Sequence, residues 1–380
     1  MKALDMLSFS DSHLGRNGLD QELMVAHLRK MIFPLLKKVQ FVNIGGDLFD
    51  EALGFGDVSV LCILAFITEF LKLCDENDVT VRVLKGTHLH DRTQLKTIPT
   101  LHQSNGLKND LRYFDKVSLE YIERFDMRVL YIPDNTPQKT SDDVMRDVAD
   151  LMAKAGWDYV DYVFIHAYFQ HVVPDNVEMK CKVFRVDQFE FVKRAVMIGH
   201  VHTHHTNGMF IYHGSTDRTH QGEEEAKGCI LVHDGGDDKP VRFRFIENKE
   251  AFVFRTYRVS HFTEVSNIVD EIEQKFKNED LNKPLYVRIE HPDAILRTAA
   301  VKELKRKYPE VVYSHRNPDK KNKNNVRDSK ELIESLTLSS APTPQNLPEA
   351  VIAHLASVGM TTTLTESRVR TMLEQTRAAK

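Results

Sequence analysis

Five short stretches of this 380-residue chain carry side chains able to bind metals, and each follows an apolar run. They are Ser10-Asp11-Ser12-His13, Gly45-Gly46-Asp47-Leu48-Phe49-Asp50, Gly86-Thr87-His88-Leu89-His90-Asp91, Ile165-His166 and Gly199-His200-Val201-His202. Singly these are weak signals: Gly-Asp is ordinary turn chemistry, and a histidine closing an apolar run is usually a satisfied core residue. Gly-His-x-His says more, because alternate residues of an extended segment point the same way. All five in order, each at the end of a strand-like run, are hard to produce by chance.

Two carboxylates, Asp11 and Asp47, stand with four imidazoles and no thiolate. Oxygen and neutral nitrogen donors suit manganese, iron or zinc. One carboxylate, Asp47, can bridge two cations about 3.5–4 Å apart, the spacing of two-metal phosphoryl-transfer centres. Two divalent ions carry four positive charges against two from the carboxylates. The surplus draws in phosphate and acidifies water. The net charge of −4 excludes a globally basic nucleic-acid wrapper without excluding such a metal-focused site. Of 18 histidines, 14 precede residue 236, which places the chemistry in the first part of the chain.

The elements that must position these groups alternate. Ala3–Phe9, Phe41–Ile44, Thr80–Leu84, Tyr159–Ile165, Ala195–Ile198 and Phe210–Tyr212 read as strands, β-branched or aromatic and bounded by turn residues. Between them, a helix opening at Asp20 places Leu23, His27, Met31 and Leu35 on one face, with Pro34 kinking or ending it. Asp57 caps a very apolar helix reaching about Cys74. Ser141 caps a third, which Gly156 stops. This alternation predicts a layered α/β domain, whose ligands gather beyond the carboxyl ends of its strands. Lys227–His233 and Val241–Ile246 flank GGDDKP as a hairpin, and a smaller α/β unit spans about Ala251 to Ser314. The polar run 316–330, with six basic residues against two aspartates, reads as a solvated linker. The tail beyond it reads as two amphipathic helices that must dock on something else.

The longest apolar run, Val60 to Ile67, is far short of the roughly 20 residues that cross a bilayer. MKALDMLSFSD shows no secretory signal. Cys62, Cys74, Cys181 and Cys229 share no C-x-x-C spacing. A reducing, cytoplasmic setting is expected, with no membrane partner.

The ordered set DSH, GDLFD, GTHLHD, IH and GHVH resembles the calcineurin-like metallophosphoesterase superfamily. Within it, the chain resembles the SbcD-type DNA repair nucleases of bacteria and tailed phages. The segment His213-Gly214-Ser215-Thr216-Asp217-Arg218, then Gly222-Glu223-Glu224-Glu225-Ala226-Lys227-Gly228, is similar to the stretch beyond the last histidine pair in those nucleases. The resemblance implies a two-sheet sandwich flanked by helices (1–248), a small α/β capping domain (249–315), a charged linker (316–342) and a helical ATPase-binding tail (343–380). It implies two divalent ions, with manganese expected. Asp11, His13, Asp47 and His202 would take the first; Asp47, His166, His200 and one residue of the third motif would take the second. His90 would be the catalytic imidazole and Asp91 would orient it. Asp50 reads as a supporting residue. The family usually has Gly-Asn-His-Asp in the third motif; here Thr87, His88 or water completes the second site.

The expected activity is a DNA exonuclease and endonuclease working on double-strand ends and single strands in recombination, repair or replication. The implied partners are DNA, an SbcC-like ABC-type ATPase and a second copy of the chain, in the nucleoid region of a bacterium or infected host. The chain has no G-x-x-x-x-G-K-[ST] phosphate loop, so ATP dependence would come from that partner. Two rival readings are a calcineurin-like phosphatase or phosphodiesterase on other substrates, and a catalytically weak DNA-holding scaffold.

Overall fold

The computed structural model describes residues 1–54, 58–134, 139–173, 182–237, 239–281 and 283–318. The expected cap Asp57, Cys181, part of the hairpin turn, most of the linker and the helical tail lie outside these residues. Residues 1–316 form one compact unit.

In chain order the first part runs β1 (Leu4–Phe9), α1 (Gln21–Leu36), β2 (Phe41–Ile44), α2 (Val58–Glu76), β3 (Thr80–Leu84), α3 (His88–Asp91) and α4 (Thr97–Ser104). Then come β4 (Leu111–Phe114), β5 (Ser118–Ile122), β6 (Met127–Ile132), α5 (Ser141–Ala155), β7 (Val160–His166), β8 (Tyr168–Phe169) and β9 (Val183–Phe184). The main unit closes with β10 (Val192–Gly199), β11 (His205–Asn207), β12 (Phe210–Tyr212), β13 (Gly228–Asp234) and β14 (Val241–Glu247). The remainder is β15 (Val253–Arg258), α6 (Val265–Phe276), β16 (Leu285–Glu290), α7 (Ala294–Lys307) and β17 (Val312–Arg316).

Two six-stranded sheets, ordered β14-β13-β1-β2-β3-β4 and β11-β12-β10-β7-β6-β5, pack face to face. The period-two alternation of strand side chains explains the layering. From β1, Leu4 and Met6 enter the core between the sheets, while Leu7 and Phe9 turn to the layer that holds α1 and α2. From β7, Tyr162 and Phe164 face the opposite sheet, and Val163 and Ile165 face α5. Strands β2, β3 and β7 are buried along their whole length, as parallel strands covered on both sides must be. The fold is therefore an α/β sandwich with helices on both outer faces.

Local details differ from the sequence reading in three places. Leu23 is 40% exposed, while His27, Met31 and Leu35 of the expected face are buried together with Met24 and Leu28. Pro34 sits in the last turn without ending α1, which continues to Leu36. Thr140, not Ser141, caps α5: its side chain accepts from Asp143 N, and Asp143 returns a bond to the cap, a reciprocal pair that Ser141 is one residue too late to make. Gly156 ends that helix in the left-handed region, as expected. Strands β4 to β6 are additions to the expected set. Among the described residues no helix is long and apolar enough to cross a membrane.

After β14, three parallel strands in the order β15-β16-β17 carry α6 and α7 and enclose their own core around Ile268, Val287 and Leu304. Phe252, Phe254 and Tyr286 instead join the core of the main unit, which fixes this small sheet to it.

Candidate metal centre

Parallel neighbours β1, β2 and β3 of one sheet and β7 and β10 of the other deliver the expected residues to one rim. Asp11, His13, Asp47 and His200 stand at φ of 53°, 48°, 48° and 87°. Non-glycine residues rarely adopt this left-handed region, and each such torsion costs about 1–3 kcal/mol unless its surroundings hold it. Here they do. Asp11 N donates to Gly46 C=O at 3.0 Å and His13 N to Asp47 C=O at 3.1 Å, stitching the first loop to the second.

Among the described residues four groups of donor atoms are each close enough to share one cation; two of them, Asp11–His13–His202 and Asp47–His166–His200, gather the expected ligands, and the others are His13–Asp50–His90 and His202–His220–Glu223. In the first, His13 Nε2 and His202 Nε2 are 3.0 Å apart, and His202 Nε2 is 3.8 Å from Asp11 Oδ1. The Asp11 carboxylate is fixed by the Ser10 hydroxyl and by His200 N at 2.9 Å. In the second, His166 Nε2 lies 3.2 Å from Asp47 Oδ2 and 3.1 Å from His200 Nδ1. Ligands about 2.1 Å from an octahedral cation stand about 3.0 Å from one another, and tetrahedral ones about 3.4 Å. Both donor sets fit a divalent ion.

Of the alternatives for the third motif, the structure places Thr87 beside the second group. Its Oγ1 lies 3.0 Å from Asp47 Oδ2, 3.3 Å from His200 Nδ1 and 3.5 Å from His166 Nε2, so it can serve as a fourth donor. His88 opens α3 and is exposed.

His90 packs edge to face on His13, ring centres 4.9 Å apart, and is partly open to solvent. Its Nδ1–H donates to the Asp50 carbonyl, leaving Nε2 as the nitrogen that can meet a substrate. The expected role of Asp91 is corrected by its surroundings. Asp91 is fully buried and its carboxylate accepts from Gly86 N at 2.8 Å, Asp47 N at 3.0 Å and Phe49 N at 3.2 Å. With its acceptors engaged by backbone amides, it ties the Asp47 loop to the end of β3 and does not orient His90.

Charge across the centre is distributed unevenly. Burial opposes ionisation of Asp47, yet His166, then His13 and His90, hold its carboxyl far below the usual range. Burial also opposes a proton on His166, but Asp47 and Asp11 push it up to about 10. Burial, then His166, pushes His200 down to about 4. Burial, then Asp47, raises Asp91 to about 7.

Two further residues belong to the centre. Asp50 Oδ1 stands 3.0 Å from His13 Nδ1 and accepts from Arg16 at 2.8 Å. Glu223 accepts from His202 Nδ1 at 2.7 Å and is buried. The spacing Glu223 to Lys227 in the GEEEAKG segment is the only sequence signal that could have singled Glu223 out.

No protein-family model matches the chain, and no curated protein does. Among solved structures, the crystal structure of TT1561 of Thermus thermophilus is similar at a TM-score of 0.36 and 10% identity, over 64% of this chain and 100% of its own. Another crystal structure reaches 0.38 at 10% identity, over 64% and 99%. Likeness at this level bears on neither family nor activity.

Proposed function

We propose that this protein is a metal-dependent DNA nuclease, cutting backbone phosphodiesters at double-strand ends and in single strands during recombination, repair or replication. The observation that carries the reading is the meeting, at one sheet rim, of Asp11–His13–His202 and Asp47–His166–His200 with His90 beside them. The order and spacing of these residues resemble SbcD-type nucleases, and the donor set fits manganese. Two divalent ions held there would supply Lewis acidity toward a phosphate and a more acidic water at neutral pH.

The chain's own residues do the rest. Asp47 and Asp11 anchor the two clusters. Thr87, at the lip of the second, adds a hydroxyl where a neutral donor is wanted. His90, committed through Nδ1 to a backbone carbonyl, presents Nε2 to a phosphate oxygen as charge develops, or as a proton source for the leaving oxygen. Asp50 holds His13 and Arg16 together below it. The small sheet after β14 is read as a capping domain that shapes the DNA approach. The tail is read as the anchor for an SbcC-like ABC-type ATPase, and the active assembly as a homodimer. These assignments to cap, ATPase and dimer rest on the sequence resemblance.

A time course on end-labelled duplex DNA with manganese, magnesium or chelator tests the reading, with nitrophenyl phosphate as competing substrate. Duplex shortening that requires manganese and falls at least about 10²-fold in His90→Ala is expected, since positioned acid–base groups contribute about 10²–10⁴-fold. Hydrolysis of nitrophenyl phosphate without DNA cleavage, or unchanged cleavage by His90→Ala, would overturn it.

A further inference from the structure

The two candidate metal positions have similar inner donors but unequal surroundings. Each has one carboxylate and two imidazoles. The difference lies on the far nitrogen of each ring. His202 gives its Nδ1–H to the Glu223 carboxylate at 2.7 Å, and His13 Nδ1 stands 3.0 Å from the Asp50 carboxylate. His166, by contrast, gives its Nδ1–H to the neutral carbonyl of Gly45 at 2.8 Å. His200 turns its own Nδ1 inward, toward His166 and Thr87, and packs edge to face on Tyr168 at 4.3 Å.

A carboxylate behind an imidazole makes the ring a stronger donor and locks its tautomer and direction. Among the described residues the first position has one hydrogen-bonded carboxylate, Glu223, and a second, Asp50, within ion-pair range of His13; the second position has none. Glu223 is also built in place. Thr219 N donates to its other oxygen at 2.5 Å. Lys227, itself buried, lies 3.4 Å from Glu223 Oε1 and donates to the His202 carbonyl at 2.9 Å. Glu223 therefore holds the His202 ring while Lys227 holds its backbone. A surface loop has no need of so closed a pair.

We infer that the two cations bind unequally: the Asp11–His13–His202 position is the tight, resident one, the Asp47–His166–His200 position is the exchangeable one, and Glu223 is the positioning residue that makes most of the difference. This rests on the two-metal reading of the site. In consequence, free divalent ion concentration would govern the second position and hence the activity of a chain that always keeps the first ion.

Calorimetric titration of the full chain with manganese chloride tests this, with DNA cleavage measured in parallel. Wild type should show two steps differing at least about 10-fold, and Glu223→Gln should weaken the tighter step about 10–100-fold, the usual cost of losing such a partner, leaving the looser step unchanged. Glu223→Asp should recover part of the loss. If Glu223→Gln does not fold by circular dichroism, Asp50→Asn, which removes the carboxylate charge 3.0 Å from His13 Nδ1, should weaken the same step. Equal steps in wild type, or loss confined to the looser step, would overturn the inference. Unequal steps without any DNA cleavage would leave it standing and remove the nuclease reading; cleavage with an unchanged Glu223→Gln titration would do the reverse.

Discussion

Gly86 closes β3 against the loop that carries Asp47, and replacing it with alanine is the sharpest structural test of how that ligand is held. A methyl group built on Gly86 would lie 2.2 Å from both Asp47 N and Asp47 Oδ1, and 2.9 Å from its Cγ. Carbon contacts settle at about 3.5–4.0 Å, so Asp47 or the strand end must move by at least about 1 Å. The strand end cannot slide away cheaply, because Gly86 N is bonded to the buried Asp91 carboxylate at 2.8 Å. Forcing an extra carbon into so filled a place costs about 1–3 kcal/mol. A 1 Å displacement of a reacting group costs about 10²-fold in rate. Gly86→Ala should therefore lower the urea-unfolding free energy by about 1–3 kcal/mol, weaken manganese binding at the Asp47 cluster, and slow duplex cleavage about 100-fold. Gly54→Ala is the control, since a methyl there meets nothing within 4 Å. Manganese affinity and cleavage equal to wild type in Gly86→Ala would refute the argument that backbone contact sets the position of Asp47.

Two further outcomes concern stability. Arg82 is fully buried and joins the two sheets, donating to Glu120 at 2.7 and 2.8 Å and to Asp110 at 2.6 Å, while Tyr131 donates to Glu120 at 2.8 Å. Glu120→Leu leaves that guanidinium poorly compensated and should cost about 3–5 kcal/mol in urea titration; a loss under about 1 kcal/mol would mean the network is not maintained in solution. His213 is buried, donates through Nδ1 to Ile198 C=O at 2.7 Å and accepts from the Ser8 hydroxyl at 2.6 Å. Burial pushes it down to about 4, so the unfolded chain, with an ordinary imidazole near 6.5, binds the extra proton. Its contribution is complete above about pH 6.5 and is lost as pH falls toward 4, by about 2 kcal/mol at pH 5. Urea titrations at pH 7.5 and 5 should show that this part of the slope disappears in His213→Gln; an unchanged slope would refute the assignment.

The strands that carry ligands were legible because their signal is local: a run of buried β-branched residues ending in glycine and a polar group. Strands β4 to β6 were not, and Glu120 shows why. In isolation SLEYI reads as a surface segment, and partners distant in sequence, Arg82 and Arg112 of the opposite sheet with Tyr131, make burial of that carboxylate tolerable. The ligand inventory was legible for the same local reason. The partition of duties within the third motif was not, since it depends on where β3 stops and α3 begins. Starting the helix at His88 turns that residue outward, brings Thr87 to the second cluster and sends Asp91 to backbone amides rather than to His90. Glu223 lay in a recognised segment, but its duty arises from the approach of residues 21 positions apart, which no local pattern encodes.

The left-handed backbone at Asp11, His13, Asp47 and His200 bears on how the protein is made. Short pieces of chain do not hold such torsions by themselves, so the ligand loops take shape only after their parent strands have paired. The first cluster also draws on both ends of a span from Asp11 to His202. The donor set of that cluster is therefore complete only once both sheets have come together.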